Sequence, residues 1–182
     1  MLYERGARER IASFIVKISE TTRVNHDGPS DTVAGWREWV ALPDLDVPWV
    51  KAKLDTGARS SSIHAFDIEE FERDGAPWVS FAVHPWQRSE VDTVRSELPV
   101  VDRRAIRSST GHEDERLVVR TTIRVVGHDL DAELTLANRD DMGFRMLVGR
   151  EAMRGVLLVD PGRSYLGGRP KRSTRRKNRG KA

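Results

Sequence analysis

The sequence predicts a mainly β fold, a closed β-barrel with one or two short helices, on three observations. Apolar–polar alternation recurs in short runs from Gly35 to Asp160. Turn-forming residues such as Pro43-Asp44 and Gly127-His128 separate those runs. Between Gly35 and Asp160 only Asp67–Arg73 and Arg150–Arg154 carry helical spacing. Short strands punctuated in this way close into barrels or sandwiches.

Residues 1–33 are mixed in charge and end in the breaker cluster Asn25-His26-Asp27-Gly28-Pro29-Ser30-Asp31. They read as an N-terminal extension, partly disordered, with an amphipathic helix over about residues 7–18. The domain spans 34–168. Gly35–Leu42 and Pro48–Asp55 alternate and form a hairpin across Pro43–Val47, and Ser61–Ala65 is a third strand. Asp67–Arg73 places Ile68 and Phe71 at helical spacing, with Asp74-Gly75 to end it. Trp78–Val83, Val91–Val101, Arg116–Val126 and Leu130–Ala137 are further strands, the last two joined by Gly127-His128-Asp129. Arg145–Gly149 is a buried strand ending at glycine, Arg150–Arg154 a helical turn, and Gly155–Asp160 the closing strand. Residues 169–182 form a basic tail with almost no apolar side chain, expected to be disordered.

At 182 residues the chain suits one domain with extensions. No apolar run approaches the roughly 20 residues of a membrane span. Ile11–Val16 stops at Lys17 with no cleavage site after it, so a cytoplasmic location without a membrane partner is expected. The absence of cysteine excludes disulfides, zinc–thiolate sites and a cysteine nucleophile. The net charge of +3 conceals a division. Eight Lys or Arg residues and no acid lie between Gly167 and Ala182, and subtracting them leaves −5 for the remainder.

The run Trp49–Ala58 concentrates the chemistry. Val50, Ala52 and Leu54 fall on one face of the strand, and Trp49, Lys51, Lys53 and Asp55 on the other. Asp55-Thr56-Gly57 then turns sharply, with glycine for the bend and a threonine hydroxyl to tie it. A carboxylate so held is what aspartic peptidase chemistry requires, although that chemistry needs two carboxylates sharing one proton. The chain has one such turn, so the partner is most simply Asp55 of a second subunit across a two-fold axis. The plain alternative is that Asp55 caps its own turn.

Lys53-Leu54-Asp55-Thr56-Gly57-Ala58-Arg59-Ser60-Ser61-Ser62-Ile63-His64-Ala65, with Gly35–Val40, Arg107-Ser108-Ser109-Thr110-Gly111-His112 and Met146–Arg150, carries a family resemblance. The chain resembles, over about residues 34–168, retropepsin-like aspartic peptidases of a family named as ATP-dependent zinc proteases and linked to RimK-type glutamate ligases. That resemblance implies an acid-protease barrel, Asp55, Thr56 and Gly57 as the catalytic turn, and Thr56 hydrogen-bonded across a homodimer axis. The link to glutamate ligases implies an acidic substrate: oligo- or poly-α-glutamate, or a glutamate-extended protein tail.

The residues do not support the family's title. Five scattered histidines supply no His-Glu-x-x-His, and there is no Gly-x-x-x-x-Gly-Lys-Ser/Thr phosphate loop. No metal or other cofactor is expected, and a zinc-dependent protease is the weakest alternative. Lys53, on the Asp55 face, and Arg59 are placed to meet substrate carboxylates and to lower the pKa of the Asp pair. Ser60, Arg107 and Ser109 complete the expected substrate-binding set, the last two in a loop of the kind that covers a cleft. Solvated lysines and ordinary turn residues are the competing readings. Ser60, Ser61 and Ser62 with His64 lack the nucleophile elbow of a serine hydrolase. Arg150 is expected to pack near the Asp turn or the subunit interface. The tail's cations suit RNA, a ribosome or a polyglutamate chain, or merely solubilise; a non-catalytic module recruited through the tail is the competing function.

Overall fold

The structure, a computed structural model, describes residues 32–107, 113–140 and 142–180. Eleven strands are described in chain order: β1 Val33–Gly35, β2 Arg37–Leu42, β3 Val47–Asp55, β4 Ser61–His64, β5 Phe66–Arg73, β6 Ala76–Val83, β7 Val94–Arg107, β8 Glu113–Val125, β9 His128–Ala137, β10 Met146–Gly149 and β11 Leu158–Asp160. Two short helices, α1 Arg150–Met153 and α2 Arg172–Lys177, and a 3-10 turn at Pro43–Leu45 complete the set. Residues 1–31, with the helix expected there, and the loop Ser108–His112 lie outside the described residues.

Strands β2, β3, β10, β4, β9 and β8 lie side by side, and Ala41 of β2 pairs with Arg124 of β8, closing a six-stranded barrel. β7, β6 and β5 continue the sheet outward from β8. β10 runs parallel to β3 and antiparallel to β4, so a late segment is inserted between two early ones. Its register sets Met146 beside Ala52 and Gly149 beside Asp55. The alternating residues Val50, Ala52 and Leu54 fill the barrel with Leu42, Ile123, Leu134, Met146 and Val148, all buried.

Asp67–Arg73 is a strand, where the sequence spacing suggests a helix. Its residues pair with β6 through Asp74-Gly75, both at positive φ, which form a two-residue hairpin turn. Sheet hydrogen bonds and the turn outweigh a two-residue apolar spacing. The turn between β8 and β9 is likewise Val126-Gly127, with His128 already paired to Val125. The tail also differs from the expected disorder: residues 169–180 have a described course, with α2 formed and Pro170 buried.

Glu38 is fully buried in the barrel wall without a cation among its hydrogen-bond partners. Its carboxylate accepts the amides of Gly35 at 2.7 Å, Leu166 at 2.8 Å and Gly167 at 3.1 Å, tying the strand entrance to the closing segment. Buried backbone donors that lose their acceptor cost about 1–3 kcal/mol each, less where water can reach them. Glu38→Ala is therefore expected to destabilise the domain by roughly 2–4 kcal/mol, read as a lower urea midpoint with unchanged slope.

Candidate active site

Asp55 ends β3 with its side chain a quarter exposed. Its Oδ1 accepts the amides of Gly57 at 3.1 Å and Ala58 at 3.3 Å, so the carboxylate organises its own turn. Its Oδ2 receives the Lys53 ammonium at 2.8 Å, two residues back on the same strand face. The hydrogen bond from Lys53 is the largest influence on Asp55. It holds the carboxyl below its ordinary value, aided by the lysine charge and the two amides and opposed by partial burial. Among the described residues no second carboxylate is hydrogen-bonded to Asp55. Thr56 and Gly57 are exposed at the tip of the turn.

The turn is clamped from behind by β10 and α1. A Cβ on Gly149 would lie 2.5 Å from the Ser60 carbonyl carbon and 2.7 Å from the Arg59 oxygen, so only glycine fits. That approach lets the Gly149 amide donate to Ser61 Oγ at 3.1 Å. The Arg150 amide donates to the Ala58 carbonyl at 2.9 Å and the Glu151 amide to the Arg59 carbonyl at 3.1 Å. The Arg150 guanidinium donates to the Gly57 carbonyl at 2.9 Å. Arg150 thus contacts the Asp turn through both its backbone and its side chain.

The predicted substrate residues divide. Lys53 stays with Asp55. Arg59 and Ser60 instead line a recess of about 250 Å³ together with Arg104, Arg120 and the acids Asp131, Glu133 and Glu151. That recess is lined by carboxylates as well as by cations. Arg107 closes β7, and nothing of its side chain is described; Ser109 lies outside the described residues. His64 is buried, accepts the Arg139 amide on Nδ1 at 3.1 Å and stacks on Phe66, the arrangement of a structural histidine.

Arg139, which follows β9, is a residue that reading the sequence did not single out. It is half-buried, and its Nε is buried without a hydrogen-bond partner. Burial lowers its pKa, with Arg116 adding to the effect, while Asp55 acts in the opposite sense. An arginine two residues beyond a strand that ends in Leu136-Ala137 was the available signal. No group of three or more His, Asp or Glu side chains arranged to hold a metal occurs among the described residues.

The turn held by a parallel, glycine-ended strand points to one family, whose pattern, described as retropepsin-like aspartic endopeptidase RimB, matches residues 33–170. The chain belongs to the RimB-like family. Curated relatives from Shewanella halifaxensis and Desulfotalea psychrophila, each named "Probable alpha-L-glutamate ligase", are 52% identical over 133 residues and 49% identical over 129. These matches cover 73% and 71% of this chain but 29% and 28% of the relatives, so the chain spans under a third of their length. A crystal structure of a Legionella pneumophila protein of unknown function (DUF785) superposes with a TM-score of 0.64 at 28% identity, covering 76% of this chain and 99% of that one. The RimB-like domain is therefore a barrel that occurs both as nearly a whole solved chain and as part of longer relatives. Among the described residues no helix is long and apolar enough to cross a membrane.

Gly149→Ala is expected to cost roughly 1–3 kcal/mol through overpacking against backbone. Faster hydrogen exchange at Ala58, Arg150 and Glu151 would show that the loss is centred on the Asp turn.

Proposed function

We propose that this RimB-like protein is an aspartic endopeptidase, homodimeric when active, that hydrolyses peptide bonds in acidic, glutamate-rich chains in the cytoplasm. The observation that carries this reading is the Asp55 carboxyl, fixed at the end of β3 by its own turn amides while Thr56 and Gly57 remain exposed. An exposed turn is where a second copy would have to meet it. The family supports peptide hydrolysis. The glutamate-ligase names of the relatives, together with Lys53 beside Asp55, support glutamate as the recognised residue.

Two Asp55 carboxyls brought to about 3 Å hold one proton between them. The ionised one takes a proton from water as its oxygen attacks the scissile carbonyl carbon. The protonated one donates to the carbonyl oxygen. Collapse of the tetrahedral adduct breaks the C–N bond: the leaving nitrogen takes up the proton held by the pair, and one hydroxyl of the adduct returns its proton to the pair as the carbonyl re-forms, so that one proton is again shared.

Lys53 sets the condition for this sequence. While it is paired to Asp55 it favours the fully ionised carboxylate and opposes the shared proton. A substrate glutamate that draws the ammonium away raises the affinity of Asp55 for that proton. Acidic substrate and catalytic protonation are thereby coupled.

The Lys53–Asp55 pair also favours the competing reading, a non-catalytic barrel whose aspartate is structurally neutralised. Poly-α-glutamate decides between them. Cleavage by the wild type should fall about 10²–10⁴-fold in Asp55→Asn and be indifferent to chelators. Cleavage that survives the substitution but is abolished by chelator would return a zinc mechanism, and a strict monomer in sedimentation under cleaving conditions would remove the two-subunit site. Lys53→Met should move the pH–rate profile to higher pH, because loss of the ammonium lets Asp55 keep its proton further up the scale. The same variant should raise KM for glutamate-rich peptides.

A further inference from the structure

Residues 171–180 lie beyond the stretch matched by the family pattern, yet they are docked on the domain. Lys177 Nζ is 2.6 Å from Asp92 and 5.9 Å from the Trp86 ring centroid, and Asn178 Oδ1 accepts the Gln87 amide at 2.9 Å. Between this segment and the barrel lies a cleft of about 710 Å³. Lys51, Asn178 and five arginines line it with the rings of Trp39 and Tyr165, and no carboxylate among the described residues does.

Three of those arginines, Arg172, Arg175 and Arg176, follow the i, i+3, i+4 spacing that gathers side chains on one face of α2, and Arg179 follows in the turn after it. Like charges at these spacings destabilise a helix, a cost that an anion lying along the stripe reverses. Arg175 also has a buried Nε that finds no hydrogen-bond partner among the described residues. On the barrel side Lys51 is half-buried near Arg37 and Arg88, and its pKa is lowered by burial first and by those cations second. The cleft therefore presents concentrated positive charge with a donor left over.

Its position relates it to Asp55. Lys51 shares the outer face of β3 with Lys53 and Asp55. Lys51 lies four residues before Asp55, about 13 Å at 3.3 Å per residue. An extended chain with its scissile bond at Asp55 would cover that distance in about four residues. We propose that the cleft between α2 and β3 is an exosite that holds the acidic flank of a polypeptide substrate being cleaved at Asp55. This rests on the peptidase reading above. Single-stranded nucleic acid fits less well, because base stacking needs open aromatic faces. Tyr165 is instead covered by Arg37 and Arg169, at 5.2 Å and 4.6 Å from its centroid, and Trp39 leans on Trp86 and Tyr165.

The test is calorimetric binding of poly-α-glutamate of about twenty residues, long enough to pass from Asp55 into the cleft, to the full chain carrying Asp55→Asn. Adding R172A/R175A/R176A/R179A should weaken binding about tenfold, the loss expected of four largely exposed charge pairs. The corresponding four Arg→Lys substitutions, which keep the charge, should restore most of it. Equal affinity in the alanine variant would overturn the exosite and leave the peptidase reading standing. An oligo-uridylate bound tenfold more tightly than polyglutamate, and lost in the same variant, would overturn it in favour of nucleic acid. Polyglutamate binding lost in the alanine variant, in a protein whose wild type cleaves nothing, would uphold the cleft and sink the peptidase.

Discussion

The site depends on one steric constraint, the approach of Gly149 to the backbone of Ser60, where a Cβ would meet a carbonyl carbon at 2.5 Å. Because nothing projects from that position, β10 can end against the Asp turn and α1 can begin there. The amides of Arg150 and Glu151 then reach the carbonyls of Ala58 and Arg59. Removing the approach would leave those groups without partners at the place where a carboxylate has to be held still. The barrel core and the Asp turn are thus joined through a contact between two stretches of backbone.

Asp55 is supported differently on its two oxygens. One is occupied by its own turn and gives it direction; the other is occupied by Lys53 and gives it charge. The first arrangement is structural and permanent. The second uses a flexible side chain, almost half exposed, that another carboxylate can engage. A site built this way has its orientation fixed in advance and its protonation left open to what binds.

Much of this was legible in the sequence, for reasons that are local. Alternation from Val50 to Leu54 fixed the face of Asp55, and a glycine closing the apolar run Met146–Val148 marked the strand behind it. What was not legible depends on partners distant in the chain. Asp67–Arg73 has few buried residues, so its apolar spacing was a weak guide, and its pairing with β6 decided the outcome. Arg139 gains its position from the barrel, not from its neighbours in sequence. The tail looked unstructured because it has almost no apolar residues. Its anchors are Asp92, Trp86 and Gln87, contributed by the segment between β6 and β7, and composition alone cannot register them.

The docked tail also makes the molecule an electric dipole. Eight positive charges sit in one terminal stretch, and the rest of the chain carries a net −5. With charge divided in this way a polyanion is drawn toward the positive stretch, so encounters are oriented before any contact forms. Orientation of this kind acts on association rate and falls steeply with ionic strength. Placing the positive pole beside β3 means that the face which attracts an acidic chain is also the face that carries Asp55.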